Sequence, residues 1–195
     1  MTADPLRSRN LRMIGMLAAL FMLPVALSFV LYFSGWRPAG QTIHGQLIDP
    51  ARALPRPQLR DVLTGAQSPV FPQTWSLVYV GDGACEAACR QALFVMRQTR
   101  LLLNQDMKRV ERVFLAKGAC CDSDFLRSEH PDLAVYDASA GNAAALLAAF
   151  PGGNLDGAVF IVDPLGNLVV REDANADPKG LLEDLRKLLR LSHIG

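Results

Sequence analysis

Residues 13–33 read MIGMLAALFMLPVALSFVLYF, twenty-one positions without a charge. No other feature narrows the chain's options as much. At ~1.5 Å rise per residue a helix of this length matches the ~30 Å hydrocarbon core of a bilayer. Inside lipid only a helix or a closed barrel satisfies its own backbone, so the segment is expected to be a transmembrane helix. Pro24 removes one backbone donor near its middle and is expected to do no more than kink it. Arg7, Arg9 and Arg12 precede the run and Arg37 follows it, while Trp36 fits an interfacial anchor, so the positive-inside rule puts the N-terminus in the cytoplasm. A cleaved secretory signal is the competitor. The run exceeds the ~7–15 residues of a signal core, and the nearest small-residue site, Ala26-Leu27-Ser28, lies inside it, which favours an uncleaved anchor.

The expected division is therefore a cytoplasmic tail (1–12), a transmembrane helix (13–33), a Pro-rich stalk with a short hairpin (34–73) and a folded core (74–195). Six prolines, at 38, 50, 55, 57, 69 and 72, exclude a helix from the stalk. Leu59 to Leu63 and the Thr64-Gly65 turn permit edge structure there. Taking Arg7, Arg9, Arg12 and Asp4 from the 20 basic and 19 acidic groups leaves 17 and 18 outside the membrane. A near-neutral surface argues against a nucleic-acid partner.

Within the core, Trp75 to Val80 (WSLVYV) reads as a buried strand, and Gly81-Asp82-Gly83 as a tight turn. Cys85 to Gln105 has helical spacing with no Pro or Gly. Val110 to Ala116 and Asp132 to Tyr136 read as strands, and Asn142 to Phe150 as an Ala/Leu helix closed by Pro151-Gly152-Gly153. Ala158 to Val162 and Leu168 to Arg171 flank a turn at Asp163 to Gly166. Asp177-Pro178 starts a last helix with Leu181, Leu182, Leu185, Leu188 and Leu189 on one face. Strand, helix, strand, strand-like segment, helix, hairpin, helix predicts an α/β mixed sheet with flanking helices, the thioredoxin-like order.

Four cysteines carry the chemistry. Cys85 and Cys89 form C-x3-C at the expected start of the first core helix, and Cys120 and Cys121 follow the next strand. If those strands are parallel neighbours, both pairs lie at the carboxyl edge of the sheet, where open α/β sheets place their sites. A helix N-terminus lowers a thiol pKa and favours the nucleophilic thiolate, an effect that Glu86 opposes. Spacing i,i+4 brings the two sulfurs near enough to share Cu(I) or, with modest fraying, to close a disulfide. A Cys120–Cys121 bond is less natural, since adjacent Cα atoms ~3.8 Å apart fall below the usual disulfide range; a cross-pair is the alternative. Structural staples or buried small apolar residues are the bland alternative for all four.

The histidines are weaker signals. His44 falls in the stalk, His193 near the end, and His130 in a Ser-Glu-His-Pro-Asp loop, where a solvated side chain is expected and metal ligation is a secondary option. No HExxH, P-loop, GxSxG or GxGxxG is present, which removes metalloprotease, nucleotidase and serine hydrolase readings.

With its anchor, its Pro-rich segment, the strand WSLVYVG leading to Cys85-x3-Cys89, and the late hairpin AVFIVDPLGNLVV, the chain resembles the Sco/SenC family. These are membrane-anchored thioredoxin-like proteins that assist cytochrome c oxidase assembly. The resemblance covers most of the chain. It implies a single-pass protein of a bacterial inner membrane with a periplasmic domain, an oxidase subunit or another assembly factor as partner, and copper as the metal. In that family the C-x3-C pair and a downstream histidine bind copper and exchange electrons with oxidase thiols. The pair carries over to Cys85 and Cys89. The histidine does not: its place falls at or near Leu155 or Asp156. Arg90 stands where a proline usually follows the second cysteine, and Gly157-Ala158 where thioredoxins carry their active-site proline. A divergent, Sco-like accessory factor working by thiol-disulfide exchange or Cu(I) handling is thus expected, with a noncatalytic interaction module as the alternative.

Overall fold

The computed structural model describes residues 5–36, 43–118, 120–155, 157–174 and 177–192. Residues 1–41 and 42–195 form two units. In the first, helix α1 spans Pro5–Phe33 and contains Pro24. Its stretch Arg12–Phe33 is long and apolar enough to cross a membrane, with mean hydropathy 2.4. The Ser28 hydroxyl, one turn further along the helix, donates to the Pro24 carbonyl at 2.8 Å.

The second unit is built on a six-stranded sheet in the order β1-β8-β7-β4-β5-β6. Its strands are β1 (Gln46–Ala53), β4 (Trp75–Asp82), β5 (Val110–Lys117), β6 (Leu133–Asp137), β7 (Ala158–Val162) and β8 (Asn167–Asp173). Strands β4, β5 and β6 are parallel; β7 runs antiparallel to β4, and β8 to both β7 and β1. Strands β2 (Gln58–Arg60) and β3 (Gln67–Pro69) form a separate hairpin. The helices are α2 (Ala87–Leu102), α3 (Ser123–Glu129), α4 (Ala144–Ala149) and α5 (Pro178–Leu191).

Trp75 to Gly81 are all buried because both faces of the central strands are covered. Alternation sorts them. Trp75, Leu77 and Tyr79 join Phe114, Val135 and Ile161 beneath Leu93 and Met96 of α2 and Leu181 and Leu185 of α5. Val78 and Val80 join Val113, Leu115, Phe160 and Leu168 beneath Leu59 of the hairpin, Phe71, Leu146 and Phe150.

Three expectations change. The segment read as a stalk with a short hairpin contains that hairpin, β2–β3, but it also supplies β1 at the sheet edge and buries Leu54, Leu59, Val70 and Phe71. Its prolines are compatible with this because edge strands and bulges need no central donor: Pro50 lies in β1, within the irregularity between Leu47 and Arg52. Second, α2 begins at Ala87, not Cys85, and ends at Leu102, with a 3-10 turn over Asn104–Arg109. Third, α3 stands where the sequence suggested only a loop. Its seven residues are too few for a periodicity signal, although Asp122, whose carboxylate accepts from the Phe125 N–H at 3.1 Å, is a legible N-cap. The N-cap expected at Asp177 is present, accepting from Gly180 N–H at 2.9 Å.

Candidate functional site

The site grows from the carboxyl ends of two adjacent parallel strands. Asp82 of β4 and Lys117 of β5 are the last paired residues, and the Gly83 N–H continues the ladder to the Lys117 carbonyl at 2.9 Å. Asp82 then shapes the turn. Its carboxylate accepts from the Ala84 N–H (2.9 Å) and its carbonyl from the Cys85 N–H (3.2 Å). Cys85 sits at φ +47°, in the left-handed region, which explains why the helix cannot start there. Glu86 is the N-cap and makes no side-chain capping bond.

Cys85 and Cys89 are joined as a disulfide, Cα to Cα 5.0 Å, and are only 2% and 4% exposed. The sharp turn does what helical i,i+4 spacing with fraying was expected to do. A groove of about 470 Å³ opens beside the bond, lined by Tyr79, Asp82, Ala84, Glu86, Ala87, Ala88 and Cys89. Cys89, not Cys85, faces it.

The second pair lies past Gly118. Cys120 and Cys121 are bonded to each other across a cis peptide, with Cα atoms 3.2 Å apart, which corrects the expectation that adjacent cysteines would not pair and that a cross-pair was the alternative. Both are half-buried against the core cluster that contains Cys85 and Cys89. The expectation that both pairs share the carboxyl edge of the sheet holds.

Arg90 ties the two loops together. Its Nε donates to the Cys85 carbonyl at 3.2 Å, its Nη2 lies 3.7 Å from the Asp122 carboxylate, and its guanidinium stands 4.3 Å from the centre of the Phe125 ring. Sequence reasoning saw Arg90 only as a missing proline. A bridging role depends on α3, which was not foreseen.

His130 is not a solvated loop residue. It is 3% exposed, with Nδ1 3.3 Å from Nη1 of the fully buried Arg112 and its ring edge-on to Phe125 at 5.4 Å. Burial first, then the Arg112 and Arg97 charges, hold its pKa down to about 4, so it is a neutral core imidazole. Asp132 binds both Arg112 and Arg100. Burial pushes its carboxyl up, but the two guanidinium groups outweigh this and leave it below the usual range. This cluster links α2 through Arg100 to β5 through Arg112, with His130 at the end of α3 packed beside them.

The backbone N–H of His44 donates to Asp184 at 2.7 Å, while His44's ring nitrogens lie 3.4 Å from Asp177 and 3.0 Å from Glu183. His193 and Asp156 fall outside the described residues. Leu155, the other position matching the family histidine, packs on the opposite core. Among the described residues, no group of three or more His, Cys, Asp or Glu is placed to hold a metal.

A disulfide at the junction of a parallel strand and its following helix, in a mixed sheet flanked by helices, defines a thioredoxin-fold domain. The chain belongs to the family described as transmembrane-like, thioredoxin-like, C-terminal domain, whose model matches residues 75–192. No curated protein matches the sequence. Among solved structures it is similar to apo Sco1 from Thermus thermophilus, at 17% identity and a TM-score of 0.62, covering 77% of this chain and 99% of that one. Copper-bound yeast Sco1 gives 15% and 0.58, covering 72% and 94%. A thiol:disulfide interchange protein from Bacteroides gives 14% and 0.51, covering 72% and 90%. The Sco/SenC resemblance is borne out in fold. The apolar helix α1 and the transmembrane-like character of the family both point to membrane anchoring.

Proposed function

We propose that the protein is a membrane-tethered thiol-disulfide exchange factor, working on the periplasmic face of a bacterial inner membrane as an accessory to cytochrome c oxidase assembly. The observation that carries this reading is the Cys85–Cys89 disulfide at the N-terminus of α2, beside a groove that Cys89 lines. The likeness to Sco structures and to a thiol:disulfide interchange protein supports it.

The step is a two-electron exchange. With Cys85 and Cys89 reduced, one thiolate attacks a target disulfide, a mixed disulfide forms and one target thiolate leaves. The second cysteine then attacks that mixed disulfide, closing Cys85–Cys89 and releasing the second target thiol. The positive end of α2 favours the attacking thiolate. Reduced, the pair would also hold Cu(I) as cargo, two soft thiolates being a suitable donor set; without an imidazole the set does not fit Cu(II).

To test this, the full-length protein in detergent is equilibrated with a dithiol buffer, and oxidase activity is measured in cells carrying the C85S/C89S variant. A reversible couple and reduced oxidase activity are expected. An unchanged oxidase activity would overturn the reading. The near-complete burial of both sulfurs favours a second reading, a structural staple in a noncatalytic interaction module. In that case the variant loses stability but keeps its partner.

A further inference from the structure

We propose that Cys120–Cys121 is a second redox pair, which relays electrons between an external dithiol or disulfide and the buried Cys85–Cys89 pair, with Arg90 as the positioning residue that holds the two loops together. This rests on the redox reading of Cys85–Cys89 and adds how that pair is reached. Attack on a disulfide depends on access of a thiolate to a sulfur. The inner pair is 2% and 4% exposed, whereas Cys120 and Cys121 are half-buried and so reachable from outside.

Placement makes the two pairs neighbours. Each follows, by three residues, one partner of the terminal Asp82/Lys117 pair of adjacent parallel strands. Both pack against one core cluster. Arg90 reaches from the carbonyl of Cys85 to the carboxylate of Asp122, the residue after Cys121, and its stacking on Phe125 fixes α3 against α2.

The exchange balances within the chain. An external dithiol first reduces Cys120–Cys121 and itself becomes a disulfide. One outer thiolate then attacks Cys85 or Cys89, breaking their mutual bond, forming a bond between the pairs and releasing one inner thiolate. The second outer thiolate attacks that bond, re-forming Cys120–Cys121 and freeing the other inner thiol. Two electrons move inward, and the two thiol protons end on Cys85 and Cys89. Run in reverse, the same steps carry electrons outward.

The relay is tested on the full chain in detergent. Four double variants each leave one cysteine per pair: C85S/C120S, C85S/C121S, C89S/C120S and C89S/C121S. After mild oxidation and peptide mass mapping, at least one is expected to form an intramolecular bond between the pairs. If none does, the relay is wrong. Reduction of Cys85–Cys89 by a bulky dithiol is also followed in C120S/C121S, and in Arg90→Ala, which keeps all four thiols. We expect a slowing of about tenfold or more, since the accessible sulfur is lost or displaced. Wild-type rates in both variants would overturn the relay while leaving the proposed function standing, with entry through the groove at Cys89. Failure of the wild-type inner pair to exchange with any dithiol would instead overturn the proposed function.

Discussion

The two faces of the sheet are built differently. The face under α2, α3 and α5 buries both members of the Cys85–Cys89 bond together with Arg112, His130, Glu172 and Asp184. The face under the β2–β3 hairpin and α4 is packed from aliphatic and aromatic side chains such as Val78, Val113, Phe160 and Phe150. The first face holds polar groups that need partners and respond to pH and redox state. The second is mainly apolar, and its titrating groups Tyr136 and Glu111 are both raised chiefly by burial.

Four measurements sharpen or break this contrast. The largest effect is expected on the apolar face. Phe160 is fully buried with its ring 5.0 Å from Phe150, so Phe160→Ala should cost about 3–5 kcal/mol in urea unfolding. The redox couple of surviving folded protein should not move; a shifted potential would show that the faces are not separable.

Next is the pH dependence of the polar face. Burial first, then a hydrogen bond and repulsion from Asp184, raise Glu172 to about 8. Between its ordinary pKa of 4.5 and that value, the native state holds a proton that the unfolded chain has lost, so stability should fall as pH rises through this window. His130 works oppositely: with a folded pKa of about 4 against 6.5 unfolded, its neutral form stabilises above 6.5, and that contribution is lost as pH falls towards 4. Melting temperature against pH should therefore slope down on the alkaline side. Glu172→Gln keeps a donor for Asp184 and should flatten that slope, while His130→Gln flattens the acid limb. An unchanged alkaline slope in Glu172→Gln would remove Glu172 from the account.

Asp132→Ala leaves Arg112 buried without its carboxylate. A fully buried pair broken this way costs about 3–5 kcal/mol, and the partial exposure of Asp132 lowers the expectation to about 2–3 kcal/mol. Arg112→Met, which removes the charge itself, should cost less when unfolding is compared at one pH. The smallest effect comes from reduction: opening the five-residue Cys85–Cys89 loop should lower stability by about 2 kcal/mol on loop-entropy grounds, seen as a shift in urea midpoint with dithiothreitol in C120S/C121S, which keeps only this disulfide. A loss well above this would favour the staple reading over the exchange role.

Strands β4, β5, β6 and β7 were legible because short β-branched and aromatic runs between turn signals have few other uses. Strand β1 was not. Its residues Gln46–Ala53 are mostly exposed, and they become a strand only because β8 offers them an edge. At the site, C-x3-C was legible from spacing, but the pairing within Cys120–Cys121 and the bridge from Arg90 were not, since each depends on where α3 brings Asp122 and Phe125. His130 was misread because its burial comes from Arg112 and Phe125, eighteen and five residues away.

The sequence by itself determined the apolar helix, the alternation of strands and helices, and the presence of two cysteine pairs after consecutive strands, because these follow from local hydrophobic period and turn chemistry. Only the tertiary structure decided that the Pro-rich segment closes the sheet edge, that the Cys85–Cys89 sulfurs are buried while Cys120 and Cys121 are half-exposed, and that Arg90 spans the two loops. Burial and long-range pairing depend on which surfaces meet, and no local pattern encodes that.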